Sequence, residues 1–184
     1  MVRRQFEQRY RRPATGRVLI AGSHVYADKP DRRKLYDSND VVGVDLTAGP
    51  GVDVVADLED WRSIVNSGLL TMPTARHFSH IECCSVLEHS RRPWRLAENL
   101  EDLMCTGSTL DLSVPFVWRY HSYGGDYFRF SADGVRELFP RIKWRALMYA
   151  TSTTLTKSAK PKTTTVGDEV YFCRTEVLGF GVRE

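Results

Sequence analysis

VVGVDLTAGPGVDVVADLED, Val41 to Asp60, holds two short apolar runs, each stopped by an acidic residue. Val41-Val42-Gly43-Val44 ends at Asp45, and Val52-Asp53-Val54-Val55-Ala56 ends at Asp57. Continuous β-branched runs of this kind suit strands buried on both faces rather than strands with one wet side. Between them Gly49-Pro50-Gly51 is a turn signal. In an open α/β sheet a ligand sits beyond the carboxyl ends of the strands, where these two carboxylates would stand.

The pattern extends in both directions. Upstream, Val18-Leu19-Ile20-Ala21 is a brief apolar strand between Gly16 and Gly22-Ser23. Downstream, Glu59 to Leu70 places Trp61, Ile64, Val65 and Leu69 at helical spacing, with Asp60 where an acidic group suits the helix dipole. Phe78 to Cys84 reads as a fourth strand. Pro93 to Met104 reads as a helix with Trp94, Leu96, Ala97, Leu100, Leu103 and Met104 on one face, and Gly107 as its stop. Thr109 to Val114 is a fifth strand ended by Pro115, and Ser131 caps a short helix to Leu138. Ile142 to Tyr149 and Glu169 to Leu178 read as a closing strand pair. Thr151 to Gly167, rich in Thr, Ser and Lys, reads as a long mobile hairpin loop between them. Strands alternating with helices predict an α/β fold: a mostly parallel sheet covered on both faces, with a terminal antiparallel hairpin.

Bulk composition fits that picture. The 184 residues are 42% hydrophobic and 27% charged, ordinary for one globular domain. No apolar run approaches the roughly 20 residues that span a bilayer. The net charge of +3 is modest, and Arg3, Arg4, Arg9, Arg11 and Arg12 crowd the start. Residues 1–16 therefore read as a basic N-terminal arm and 17–184 as the domain. The arm suits contact with nucleic acid or another anionic surface. A solvated or partner-docking tail is the preferred reading. Cys83, Cys84, Cys105 and Cys173 make no metal-spaced set, so they read as buried free thiols of a cytoplasmic protein and no metal ligand is expected.

Asp45 is typed to accept hydrogen bonds from ribose hydroxyls, or else to serve as a turn residue. Asp57 can accept from an adenine amino group while Leu58 packs on the ring, or can cap the following helix. Three blocks together carry a family resemblance. Val41 to Asp60 resembles the second and third strands of class I S-adenosylmethionine-dependent methyltransferases, in particular the methyltransferase-11-like members. FSHIECCSVLEHSRRPWRLAENLEDLMCTGSTLDLSVPF, Phe78 to Phe116, is similar to their fourth strand, Val-Leu-Glu-His turn, Pro-Trp helix and fifth strand. RYHSYGGDYFRFSADGVRELF, Arg119 to Phe139, resembles their His-x-x-x-x-Asp-Tyr-x-Arg-Phe segment.

The resemblance implies the Rossmann-like class I methyltransferase fold, with strand order 3-2-1-4-5-7-6, and S-adenosyl-L-methionine as cofactor. It puts Gly22 and Ser23 under the methionine part, Asp45 on the ribose, Asp57 and Leu58 on the adenine, and Ser85 with Val86 at the sulfonium. Phe116, His121, Asp126, Tyr127 and Arg129 would shape the substrate pocket. His89 and His121 are the catalytic candidates, either being able to act as base near neutrality. For His89 a turn residue bonded to backbone is the competing reading, and for Asp126 with Arg129 an ion pair that fixes their loop. One departure stands out: relatives carry an acidic residue before the first glycine and further glycines after it, where this chain has Ile20-Ala21 and Ser23-His24-Val25-Tyr26. The expected activity is O- or N-methyl transfer to a small molecule or glycan. The alternative is a catalytically degenerate binding or scaffold protein on the same fold, associated with nucleic acid through its arm. A nicotinamide-dependent enzyme is disfavoured because no G-x-G-x-x-G follows the first strand.

Overall fold

The first strand, β1 (Val18–Ala21), has no residue more than slightly exposed, because it lies between two parallel neighbours, β2 (Val41–Asp45) and β4 (Phe78–Cys84). The computed structural model describes residues 3–10, 14, 16–26, 30–36, 40–71, 77–121, 124–151, 156–157, 171–172 and 175–184. Outside β2 lies β3, reduced to Val54–Val55. On the other side β4 pairs in parallel with β5 (Met104–Val117). The closing strands β6 (Ile142–Thr151) and β7 (Thr175–Arg183) are antiparallel, with β7 inserted between β5 and β6. The seven-stranded order is 3-2-1-4-5-7-6, as the resemblance implies. A separate pair joins Thr156–Lys157 to Tyr171–Phe172. The rest of the expected loop over Thr151 to Gly167 lies outside the described residues.

Three helices cover one face: α2 (Trp61–Asn66), α3 (Pro93–Asp102) and α4 (Ala132–Leu138). Leu96, Ala97 and Leu100 of α3, with Leu103 just after it, pack on Leu19, Ile81 and Leu110 in the main core. Burying each such leucine or isoleucine contributes about 1.5–3 kcal/mol. Pro93 opens α3 with the dihedral a first turn wants, and the Ser131 hydroxyl accepts the Gly134 amide at 3.0 Å to start α4.

The opposite face departs from the expected helical cover. Its middle is polar: the Tyr36 hydroxyl donates to Glu82 at 2.7 Å, Arg32 pairs with Glu82, and His80 reaches Thr109 at 2.7 Å. Its far end is covered by α1 (Arg3–Tyr10), whose Phe6 is buried against Ala146, Ala150, Leu178 and Phe180. That part of the basic arm is therefore docked helix and not solvated tail.

Smaller differences have local causes. Helix α2 is shorter than the Glu59 to Leu70 pattern, and only Ile64 and Leu69 of its apolar residues are buried, while Trp61 and Val65 face out. Trp94 is likewise exposed on α3. Gly107 does not stop α3, which ends at Asp102. It lies inside β5 with φ of 89°, where the β4–β5 register shifts. No described helix is long and apolar enough to cross a membrane.

Candidate functional site

Register sets the site. Ala21 lies beside Val44 and Cys83, so Gly22, Asp45 and Ser85 emerge together at the carboxyl edge. Strand order reverses between β1 and β4, the place where open α/β sheets bind ligands. Both chains leave it in left-handed conformation, Gly22 at φ of 66° and Ser85 at φ of 57°. A side chain at Gly22 would come within 2.6 Å of Val86 Cγ2, so glycine is required by space as well as by dihedral. The divergence opens a cleft of about 460 Å³.

The β2 side of the cleft is held by its own backbone. Asp45 Oδ2 accepts the His24 amide at 3.1 Å and Oδ1 accepts the Thr47 amide at 3.3 Å. These bonds fix the carboxylate while leaving it lone pairs for a ligand. The Gly-Pro-Gly link folds back over the loop after β1: the Pro50 carbonyl accepts the Val25 amide at 2.8 Å, and the absence of a side chain at Gly43 admits the Gly51 carbonyl. Asp57 accepts the Glu59 amide at 2.8 Å, and the buried Asn99 amide holds the Leu58 carbonyl at 2.8 Å.

The opposite wall is built from a 3₁₀ turn, Leu87–His89, and the loop that follows β5. His89 Nδ1 donates to the Gly125 carbonyl. His121 Nδ1 lies 3.2 Å from the Arg119 carbonyl and 3.3 Å from Asp126 Oδ2. The two rings meet edge to face, 4.9 Å between centroids. Asp126, with 1% of its side chain exposed, takes both arms of Arg129 at 2.5 and 2.8 Å and accepts the His121 amide at 2.8 Å. Those guanidinium bonds hold its carboxyl down to about 2. Burial pushes the His121 imidazole below its ordinary value, favouring the neutral ring.

Gly22, Ser23, Asp45, Asp57, Leu58, Ser85, Val86, His89 and His121 all line this cleft. Phe116, Asp126, Tyr127 and Arg129 do not. Phe116 packs edge-on against Tyr149, 4.9 Å between centroids, and Tyr127 lies under Arg91. Arg129 reaches the Trp118 and Arg119 carbonyls as well as Asp126, tying the loop after β5 to the following one.

Neither a family model nor a curated protein matches the chain. Solved structures do. A candidate methyltransferase from Bacillus halodurans superposes with a TM-score of 0.66 at 13% identity, covering 97% of each chain. A SAM-dependent methyltransferase from Archaeoglobus fulgidus gives 0.60 at 13% identity over 98% of this chain and 90% of its own. The N-methyltransferase NodS from Bradyrhizobium japonicum, in complex with S-adenosylhomocysteine, gives 0.53 at 14% identity over 92% and 79%. The chain has the class I methyltransferase fold.

On this methyltransferase fold the cleft has walls that sequence reasoning did not single out. His24 and Tyr26, stacked at 4.8 Å between centroids, line it beside Asp45. Trp118 and Arg119 line it beside His121. His24 and Tyr26 fall in the Ser23-His24-Val25-Tyr26 stretch that departs from the glycines the resemblance leads one to expect, which was the available signal. Trp118 and Arg119 directly follow an apolar strand that runs past the end of β4, a length that periodicity does not reveal.

Proposed function

We propose that this chain is an S-adenosylmethionine-dependent methyltransferase that transfers a methyl group to an oxygen or nitrogen of a small molecule or glycan. The observation that carries the reading is convergence. Asp45, Asp57, the Gly22 turn and the imidazoles of His24, His89 and His121 border one cleft at the switch point of the sheet. The residues fit the cofactor in type: Asp45 lines the cleft with acceptor capacity left for a ribose, Asp57 and the buried Leu58 line it where an adenine would lie, and Gly22 lets backbone approach. When bound, the cofactor supplies a methyl carbon activated by its sulfonium.

The chain's part is alignment and proton handling. Ser85 and Val86 would border the reacting carbon, between the Gly22 turn and His89. Trp118, Arg119 and His121 would contact the acceptor, while Asp126 and Arg129 position that loop from behind. Phe116 and Tyr127 would shape the outer approach. A neutral imidazole at His89 or His121 can accept the acceptor's proton. The cleft volume lies in the range of small-molecule pockets, enough for a nucleoside cofactor with the reacting part of its acceptor.

Calorimetric titration of the purified chain with S-adenosylmethionine and S-adenosylhomocysteine tests the reading. Binding is expected, and Asp45→Ala should weaken it by about 1–3 kcal/mol through loss of charge-assisted bonds. No binding at millimolar ligand would refute the proposal and leave the fold. Replacing the N-terminal arginines by glutamine should spare activity on a small acceptor. An activity on nucleic acid would instead fall and lose part of its salt dependence.

A further inference from the structure

The acceptor wall of the cleft holds a third group that the proposed methyl transfer does not use. Glu88, between Leu87 and His89, has only 1% of its side chain exposed. Its Oε1 lies 3.9 Å from His89 Nε2 and 4.0 Å from His121 Nε2. Donor atoms of all three residues fall within 4.8 Å of one another. We propose that Glu88, His89 and His121 form a binding site for one divalent transition-metal cation, of the zinc class, open toward the cleft.

The tautomers carry the argument. A carbonyl or a carboxylate oxygen only accepts, so the bond to Gly125 puts the His89 hydrogen on Nδ1. The Arg119 carbonyl and Asp126 carboxylate do the same for His121. Each Nε2 then presents a lone pair on the side of Glu88 Oε1. Three electron-pair donors on one spot are the arrangement that a shared cation satisfies. Metal-bound histidines characteristically give their other nitrogen to a carbonyl or carboxylate, which fixes the ring and raises its basicity. Both rings have that outer support here, and Arg129 in turn fixes Asp126.

Geometry and ligand type agree. Ligands about 2.1 Å from a tetrahedral ion stand about 3.4 Å apart, so Glu88 Oε1 needs to close by about half an ångström on each Nε2, and no pair of donors by more than about 1.4 Å. Two imidazoles and one carboxylate form a set used by catalytic zinc, which keeps a further position for substrate or water. Both histidines line the cleft, with 17% and 19% of their side chains exposed, so that further position faces it. An acceptor hydroxyl or similar oxygen would complete the coordination and be oriented by it. That last role rests on the methyltransferase reading; the cation site does not. With the ion bound, the two imidazoles act as ligands and not as bases.

The test uses the full chain, stripped with a chelator and titrated with Co²⁺, then with Zn²⁺ in competition. One equivalent of Co²⁺ should bind, with the visible absorption of a four- or five-coordinate nitrogen and oxygen site. His121→Ala, on a half-exposed loop, and Glu88→Gln should each weaken binding by more than the about 10–100-fold that loss of an outer partner costs. Circular dichroism confirms that the variants fold. Failure of the parent to bind Co²⁺, or equal binding by parent and His121→Ala, overturns the site and assigns the cluster a shared proton instead. Titrating S-adenosylhomocysteine into the same samples separates the two proposals. Cofactor binding without metal refutes only this site, and metal binding without cofactor refutes only the methyltransferase reading.

Discussion

The two walls of the cleft are made differently. On the β2 and β3 side, Asp45 and Asp57 are half-exposed carboxylates held by backbone amides, two at Asp45 and one at Asp57. Across from them, Glu88 and Asp126 keep 1% of their side chains in contact with solvent, and Asp126 is bonded by a guanidinium and a main-chain amide. The first wall can bind and release a polar ligand at little conformational cost. The second spends buried charge to fix two imidazoles, and buried charges without their partners are expensive. Recognition and pre-organisation are thus divided between strand ends and loops.

The largest expected effect breaks the second wall. Arg129→Met removes the cation from buried Asp126 and three carbonyl contacts, and should destabilise the fold by about 3–5 kcal/mol in urea unfolding. A loss under 1 kcal/mol would show that this corner is not the rigid one.

A pH series sharpens the same point. Asp126 is held down to about 2 in the folded chain, by the Arg129 bonds above all. A depressed carboxyl contributes stability that is full above its unfolded value of about 3.9 and is lost as pH falls through 2. The contribution is on the order of 2 kcal/mol. The stability difference between the parent and Asp126→Asn should therefore shrink as pH falls from about 4 toward 2. A difference that stays constant over that range contradicts the assignment.

Much of the fold was legible because short β-branched apolar runs bounded by turn residues suit interior strands, as β1 and β2 are. The polar strip across the other face was not. His80 and Glu82 are satisfied by Tyr36, Arg32 and Thr109, partners that come from distant segments. Asp53 shortens β3 by turning its carboxylate onto the Gly43 amide at 2.7 Å, a bond across strands that a run of valines conceals. Within the site, Asp45 and Asp57 were readable because a strand end determines where a carboxylate points. Glu88 was passed over, since residue type alone does not show that an acid in a turn is buried. Burial, not residue type, changes its meaning. Tyr127 and Arg129 were taken for pocket residues because aromatic and basic side chains fit a pocket in type, and only the chain path shows that they brace it from outside.

The first wall responds more weakly and separates binding from stability. Asp57→Ala should cost about 1 kcal/mol of stability, because its carboxylate also accepts the Glu59 amide at the approach to α2. Asp45→Ala removes the bonds to the His24 and Thr47 amides, so it should cost a comparable amount of stability and lower cofactor affinity as well. Paired urea and calorimetric measurements check both. A stability loss at Asp45→Ala with cofactor affinity unchanged would mean that Asp45 is a turn residue first.

The smallest effect lies where the walls meet. Ser85 is the one described residue other than glycine with positive φ, and its amide bonds the Ser113 carbonyl at 2.8 Å. An L-residue there carries about 1–3 kcal/mol of strain. Ser85→Gly removes the strain but gives the unfolded chain more freedom, which offsets about 0.4–1 kcal/mol of the gain. Unfolding should therefore move by only about 1 kcal/mol, toward greater stability. If the strained turn serves to aim Ser85 and Val86 into the cleft, affinity for S-adenosylhomocysteine should fall as stability rises. Both quantities rising together would show that the strain is incidental to the site and that Gly22 alone shapes the floor of the cleft.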